Sequence, residues 1–545
     1  MPMLMTRAQP RLAAAALALA AMAATAAPLT EGDARRFLAQ ATFGPTEPGV
    51  AELQSLGKAA WLQRQFGLAS SDYRGLSYVD PNSNIGCPTG SPDTCKRDQY
   101  SLFPVQVQFF QNALNESDQL RQRTALALSE ILVVSGTQIN LPYAMANYQR
   151  IFLSNAFGNF RDVLRAVTLS PAMGRFLNMA NNDKPNPAKG IQPNENYARE
   201  VLQLFSIGLW QLNPDGTPQL GAGGLPIASY DQEAVEGFAH AFTGWTYAPR
   251  PGATRSRFPN PSYDGAPMMA FAEHHDTAAK SLLNGAVLPA GQSAQADLDA
   301  AITNIFMHAN VGPFIGRQLI QQLVTANPSP AYVARVTAAF NGGGGAHPRG
   351  DMKAVLNAIL LDPEAAQPAA PQKFGKLREP IVQLTHLFRT LGGTSDGVWL
   401  RAQAASLGQP LFSPPSVFNF FSPDQDLPDD PTLDGPAFGL FSASSAFTLS
   451  GVLATALNGK GVAPDPKVAG AIGSHIDLAR WQALAGNPAA LVADINRVLF
   501  AGRMSSPLQQ ALLKAAQLQP ASKPLDRARS ALFLAVMSPE YLVEN

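Results

Sequence analysis

Apolar positions recur at three- and four-residue intervals wherever the chain is regular, and alternating stretches bounded by hairpin turns are scarce. Segment 119–134 sets Leu120, Ala127, Leu128, Ile131 and Leu132 along one stripe, with Ser117 placed to cap it. Asp351 is positioned to cap a helix over 352–361 that Asp362-Pro363 stops. Pro380 suits the first turn of a helix ending at Gly392-Gly393, and the same periodicity returns at 489–500, 507–518 and 525–537. The pattern predicts a mainly α protein: a single large multi-helical domain with long Pro- and Gly-rich loops and little or no sheet. The main loops are expected at 73–100, 248–272 and 408–441. The stretch 392–397 separates two helical groups and marks where the body 27–545 could subdivide, near residue 395.

Two helices carry a conspicuous polar side. Over 195–209, with Asn194 as cap, Tyr197, Val201, Leu204, Phe205 and Gly208 gather on one side, while Glu195, Arg199, Glu200 and Gln203 fan across the other. Glu195 and Arg199 stand four apart in the favourable order for an ion pair. Either that pair is solvated and of little energetic weight, or the face lines a cleft in which Glu195 or Glu200 acts as acid, base or metal ligand. Over 231–242, Val235, Phe238, Ala239 and Phe242 oppose a stripe of Glu233, Glu236 and His240. That spacing matches neither His-Glu-x-x-His nor the Glu-x-x-His of di-iron bundles, which disfavours a metal there. Trp245, just beyond, reads as a core anchor.

Composition sharpens the picture. With 46% hydrophobic and 15% charged residues, the 545-residue chain has apolar surface for a large core. Arg7 and Arg11, an apolar run over 12–24 and the small-x-small ending Ala24-Thr25-Ala26 read as a cleaved signal peptide, 1–26. No later stretch is long and charge-free enough to span a bilayer. The mature chain is then expected outside the cytoplasm, periplasmic or extracellular. It would hold 38 bases against 40 acids, about −2, without the basic footprint of a nucleic-acid binder. Cys87 and Cys95, with seven residues between them, are expected to close one disulfide loop, the alternative of a two-thiolate zinc site lacking further ligands nearby.

Several clusters could carry chemistry. Glu273-His274-His275-Asp276 precedes Lys280 in a chain with seven histidines. Neighbouring histidines cannot both reach one centre, so at most one is a natural ligand or base; alternatively Asp276 caps a helix and pairs with Lys280. Lys376, Arg378 and Glu379 precede Pro380, where a helix start could help bind an anion, with His386 further along. Equally, Arg378 could be the buried partner of Glu195 or Glu200. The aromatic stretch 413–421 could stack on sugars or dock a partner if exposed, but burial over the helices is favoured. Asp424, Asp426, Asp429 and Asp430 lack the Gly and terminal Glu of an EF-hand. No nucleophile elbow, P-loop or dinucleotide fingerprint is present.

Pro193 to Glu200, Phe242-Thr243-Gly244-Trp245-Thr246, His275-Asp276 with Lys280, and Gly375 to Pro380 occur in an order that resembles the bacterial "domain of unknown function 1800" family of exported proteins. The resemblance covers nearly the whole exported chain and implies one continuous helical unit, while the family carries no assigned activity. Ala278 departs from the family pattern, where Gly is expected. Members are commonly encoded beside another exported family similar to sulfatases and alkaline phosphatases, which implies such a protein as partner. The candidate catalytic residues are thus Glu195, Arg199, Glu200, His275, Asp276 and Arg378, for a hydrolase or lyase of an extracellular polymer. The competing function is a non-catalytic scaffold that binds a partner or polymer. Cofactors and metal content are not assigned by the sequence.

Overall fold

A computed structural model describes residues 28–253, 256–366 and 374–544. The expected signal peptide, 1–26, lies outside the described residues. Among them are 24 α-helices and only short two-stranded sheets, the mainly α architecture that the periodicity predicts. None of these helices is long and apolar enough to cross a membrane.

Local chemistry accounts for where the helices begin. The side chain of Asp351 accepts from Lys353 and Ala354 N–H and that of Asp231 from Ala234 N–H, each satisfying orphan donors of a first turn. Ten of the 24 helices carry proline in their first turn, where its missing N–H costs nothing. Part of the Pro content, though less than a quarter of the 45 prolines, therefore starts helices rather than filling loops. The helix Gln119–Ile131 begins at Asp118, not Ser117, and has no side-chain cap.

One cluster of buried apolar side chains runs from Ala34 to Leu542. Trp245 is 2% exposed, the core anchor expected of it. Two short sheets place the regions that matter below. Lys376–Leu377 pairs antiparallel with Val543–Glu544, setting the chain's last described residues beside the Gly375 to Pro380 segment. Lys280–Ser281 pairs with Val287–Leu288, and the helix Gln232–Ala241 lies directly on that hairpin. Contact is so close there that a Cβ on Gly237 would sit 1.7 Å from Ser281 O. Cys87 and Cys95 form the disulfide, with Cα atoms 5.9 Å apart.

Candidate functional site

The polar helix expected over 195–209 is shorter, Asn196–Gln203, with Glu195 at its cap position and Asn194 Oδ1 accepting from Asn196 N–H. Gly208, at φ +73°, turns the chain out of it. Glu195 and Arg199 form a 2.7 Å ion pair, partly exposed and shared with the Gln232 amide. Burial raises the Glu200 carboxyl's pKa against the pull of Arg199, and its Oε2 is buried without a donor among the described residues.

His274 and His275 point to different partners. His274 stacks on Phe258 at 3.7 Å and pairs with Asp183. His275 is buried with Nε2 3.0 Å from Asp297 Oδ2, an oxygen that also lies 2.7 Å from Lys280 Nζ, while Nδ1 donates to Thr243 O at 3.0 Å. Lys280 therefore pairs with Asp297, not with Asp276, and residues 280–281 are strand rather than helix. Asp276 pairs with His240 and accepts from Ala278 N–H. Burial works against that carboxylate, but the Ala278 N–H, His240 and Lys280 together hold its pKa below the usual range. The Phe242 to Thr246 motif clasps this segment: Thr243 Oγ1 accepts from Asp276 N–H at 2.9 Å, and a Cβ on Gly244, at φ +82°, would meet His275 N at 2.8 Å. These residues are buried or half-buried and largely directed at one another, with Asp297 Oδ1 left without a hydrogen-bond partner among the described residues.

Arg378 is not the partner of Glu195 or Glu200. It lies 3.8 Å from Glu544, donates to Tyr541 O and covers the Tyr541 ring. With His386 it lines a small cavity of about 130 Å³. None of the six candidates Glu195, Arg199, Glu200, His275, Asp276 and Arg378 lines a second, larger cavity of about 540 Å³.

That larger cavity forms where three of the sequence's segments converge: the exit of the 196–203 helix, residues 374–379, and the aromatic loop with the chain that follows it. The helix Val311–Leu323 supplies a fourth wall. Most of the lining is apolar, and Phe418, 53% exposed, stands at its edge with Trp210. The aromatic loop is thus neither wholly buried nor wholly free.

Two carboxyl groups meet on this lining. Glu130 stands on the last turn of the 119–131 helix, and Glu379 precedes Pro380 at the cap position of the helix Pro380–Thr390. Buried Gln409 joins them. Its Oε1 accepts from Ile381 N–H at 3.0 Å, which fixes the amide's orientation. Its Nε2 donates to Glu379 Oε2 at 2.7 Å and reaches Glu130 Oε1 at 3.4 Å. Gln409 thereby occupies the helix start at which an anion was expected. The remaining oxygens, Glu130 Oε2 and Glu379 Oε1, are buried without a hydrogen-bond partner among the described residues. Burial first, then the charge of Glu379, push Glu130 well above the usual carboxylate range despite Arg123 and Lys376 nearby.

Lys376 completes the group. Its ammonium and the Arg123 guanidinium both donate to Gln322 O. Burial, followed by repulsion from Arg123, brings the Lys376 pKa down to about 8. A carboxyl whose pKa is raised, beside an amine whose pKa is lowered, can give and take protons near neutral pH.

A family model described as "protein of unknown function (DUF1800)" matches residues 36–543, nearly the whole chain. The chain belongs to the DUF1800 family. Neither the curated proteins nor the solved structures include a match to it. In this DUF1800 member the Gly375 to Pro380 motif divides its work, Lys376 and Glu379 facing the large cavity and Arg378 the small one. Among the described residues no group of three or more His, Cys, Asp or Glu side chains is arranged to hold a metal ion. Glu233, Glu236 and His240 do not converge; His240 is taken by Asp276 and Glu236 by Gln232.

Glu130 is the residue that sequence reasoning missed. A signal for it existed: a carboxylate in the last turn of a helix opposes the helix dipole, so a glutamate there asks for a reason other than helix stability.

Proposed function

We propose that this protein is exported and hydrolyses an acyl bond, amide or ester, of an extracellular polymer at the Glu130–Glu379 pair. The observation that carries the reading is that two carboxyls, Glu130 and Glu379, are brought together by the Gln409 amide on the lining of a cavity large enough for a ligand. Such a pair can polarise a carbonyl with its protonated member while its ionised member takes a proton from the attacking water. Export is supported by the basic, then apolar, then small-residue pattern of 1–26 and by a disulfide suited to an oxidising compartment.

A second reading has its own observation. Leu220 and Leu225, 61% and 72% exposed on the loop after Trp210, form an apolar surface suited to a protein partner such as an exported sulfatase- or phosphatase-like protein. The protein would then be an accessory or scaffold.

Glu130→Gln and Glu379→Gln decide between them, because each keeps shape while removing the acid. Assayed on protein, polyester and acylated polysaccharide, each variant is expected to lose roughly 10²- to 10⁴-fold in turnover with unchanged circular dichroism. Full turnover in both variants, or a wild-type protein that cleaves none of these polymers, sinks the hydrolase and leaves the accessory reading.

A further inference from the structure

Hydrocarbon faces the interior of the large cavity from several sides at once. Leu204 at the exit of the 196–203 helix, Phe314 on the 311–323 helix, Phe374 and Leu377 beside the Gly375 to Pro380 motif, and Val417 on the aromatic loop all line it, and none of them is fully buried. The apolar wall reaches the carboxyl pair itself. Ile131 follows Glu130 directly, Leu377 and Val382 flank Glu379 in the chain, and each lines the same cavity. At the edge the apolar surface continues into solvent, where Leu209, Trp210 and Phe418 are half-exposed. The stretch that carries Leu209 and Trp210 is nearly free of charge: between Glu200 and Asp231, Asp215 is the single charged residue.

Polar side chains on the lining are largely engaged with one another. Asn327 exchanges two hydrogen bonds with the backbone of Asp434, each 2.8 Å, Ser422 donates to Asp424, and Lys376 donates to Gln322 O. A glycan or a peptide backbone laid against the hydrocarbon would give up its bonds to water and find no partner there. An apolar chain has no such bonds to lose and gains by leaving water. The volume of about 540 Å³ lies within the roughly 300–1,000 Å³ of ligand cavities, which suits a chain of many carbons rather than an acetyl group.

We propose that the cavity holds the acyl group of the bond cleaved and that this group is a long hydrocarbon chain, its carbonyl at Glu130 and Glu379 and its chain against Phe314, Phe374 and Val417. The inference rests on the reading of Glu130 and Glu379 as the acid–base centre and adds the substrate class. Acylated polysaccharides and ester lipids share this chemistry. In the step, the oxygen of water bonds to the acyl carbon while a carboxylate of the pair takes its proton. The bond from that carbon to the leaving oxygen or nitrogen breaks, and the proton passes to the leaving atom. A carboxylic acid and an alcohol or amine result, with water as the sole co-reactant.

The test has a binding arm and a turnover arm, both on the mature chain. Straight-chain alcohols from ethanol to dodecanol, neutral and uncleavable, compete with a fluorescent apolar probe; their affinity should rise by up to about fourfold per methylene, the factor for full burial, until the cavity is filled. The p-nitrophenyl esters and p-nitroanilides of the matching acids, each below its aggregation concentration, should rise in kcat/KM over the same range. Val417→Trp narrows the cavity and should shift the preferred chain to shorter lengths, while Phe374→Ala widens it and should shift it to longer ones, both with unchanged circular dichroism. Glu130→Gln and Glu379→Gln should bind dodecanol like the wild type yet lose roughly 100-fold or more in turnover. Palmitoyl dextran and vesicles of a dioleoyl glycerolipid separate the two sources, and turnover of either supports the assignment. Affinity and kcat/KM that stay flat with chain length overturn the acyl-chain assignment, as does a preferred length that neither Val417→Trp nor Phe374→Ala moves; acetyl-ester or peptide cleavage lost in the glutamate variants would then leave the carboxyl centre standing. Chain-length-dependent binding with turnover indifferent to both glutamate variants overturns the centre and leaves the chain site.

Discussion

Lys376 is a cation kept where charge is penalised. Its pKa of about 8 lies below the roughly 10.4 of an unfolded lysine, so between those values the unfolded chain binds more protons than the folded one. Stability contributed at this residue therefore rises with pH from about 8 towards 10.4 and is lowest below 8, where the buried charge costs on the order of 2–3 kcal/mol. Lys376→Met should raise the urea unfolding free energy at pH 7 by about 1–3 kcal/mol, with the gain disappearing near pH 10.5; an equal effect at both pH values contradicts this. Retaining such a residue against its cost is what a site does. Glu195 and Arg199 show the opposite economy: half-exposed, four apart and water-screened, they add at most about 1 kcal/mol. Their polarity was legible in the sequence, but whether a polar residue faces water or a cavity depends on what packs beside it.

The helix Gln232–Ala241 couples two of the family's motifs. Gln232 at its start holds Glu195, and His240 near its end holds Asp276. Gly237 lets the helix sit on the 280–281 strand, so Gly237→Ala sets helix propensity against packing. Propensity favours alanine by about 1 kcal/mol, but the new Cβ would fall 1.7 Å from a backbone oxygen that cannot rotate away. The substitution should destabilise by about 1–3 kcal/mol net in urea denaturation; a stabilised variant would show that the helix lifts freely. Element starts were largely legible because caps and prolines act locally, as at Asp231, Asp351 and Pro380. The end of the 196–203 helix was not. Periodicity continues to Leu209, whereas Gly208 turns out against Phe314, a residue of a helix more than a hundred positions later.

At the scale of the molecule, the last described residues close the fold around the site. Val543–Glu544 pairs with Lys376–Leu377, and Val543 lines both cavities. A chain ending at Leu542 loses this pairing and leaves Arg378, whose side chain is 7% exposed, without Glu544. Removing one member of a buried pair costs about 3–5 kcal/mol, so unfolding should shift by about that amount and polymer turnover should fall with it. A shift under about 0.5 kcal/mol would show that Tyr541 O alone satisfies the guanidinium. The mainly α character, most starts of the eight helices the pattern located, the disulfide and the family followed from the sequence, because periodicity, capping and cysteine pairing across a short loop are short-range effects. The meeting of Glu130 with Glu379 did not. Their carboxyls belong to helices some 250 residues apart, joined by Gln409 from a third segment, and only the packing of those segments decides which acids are buried together.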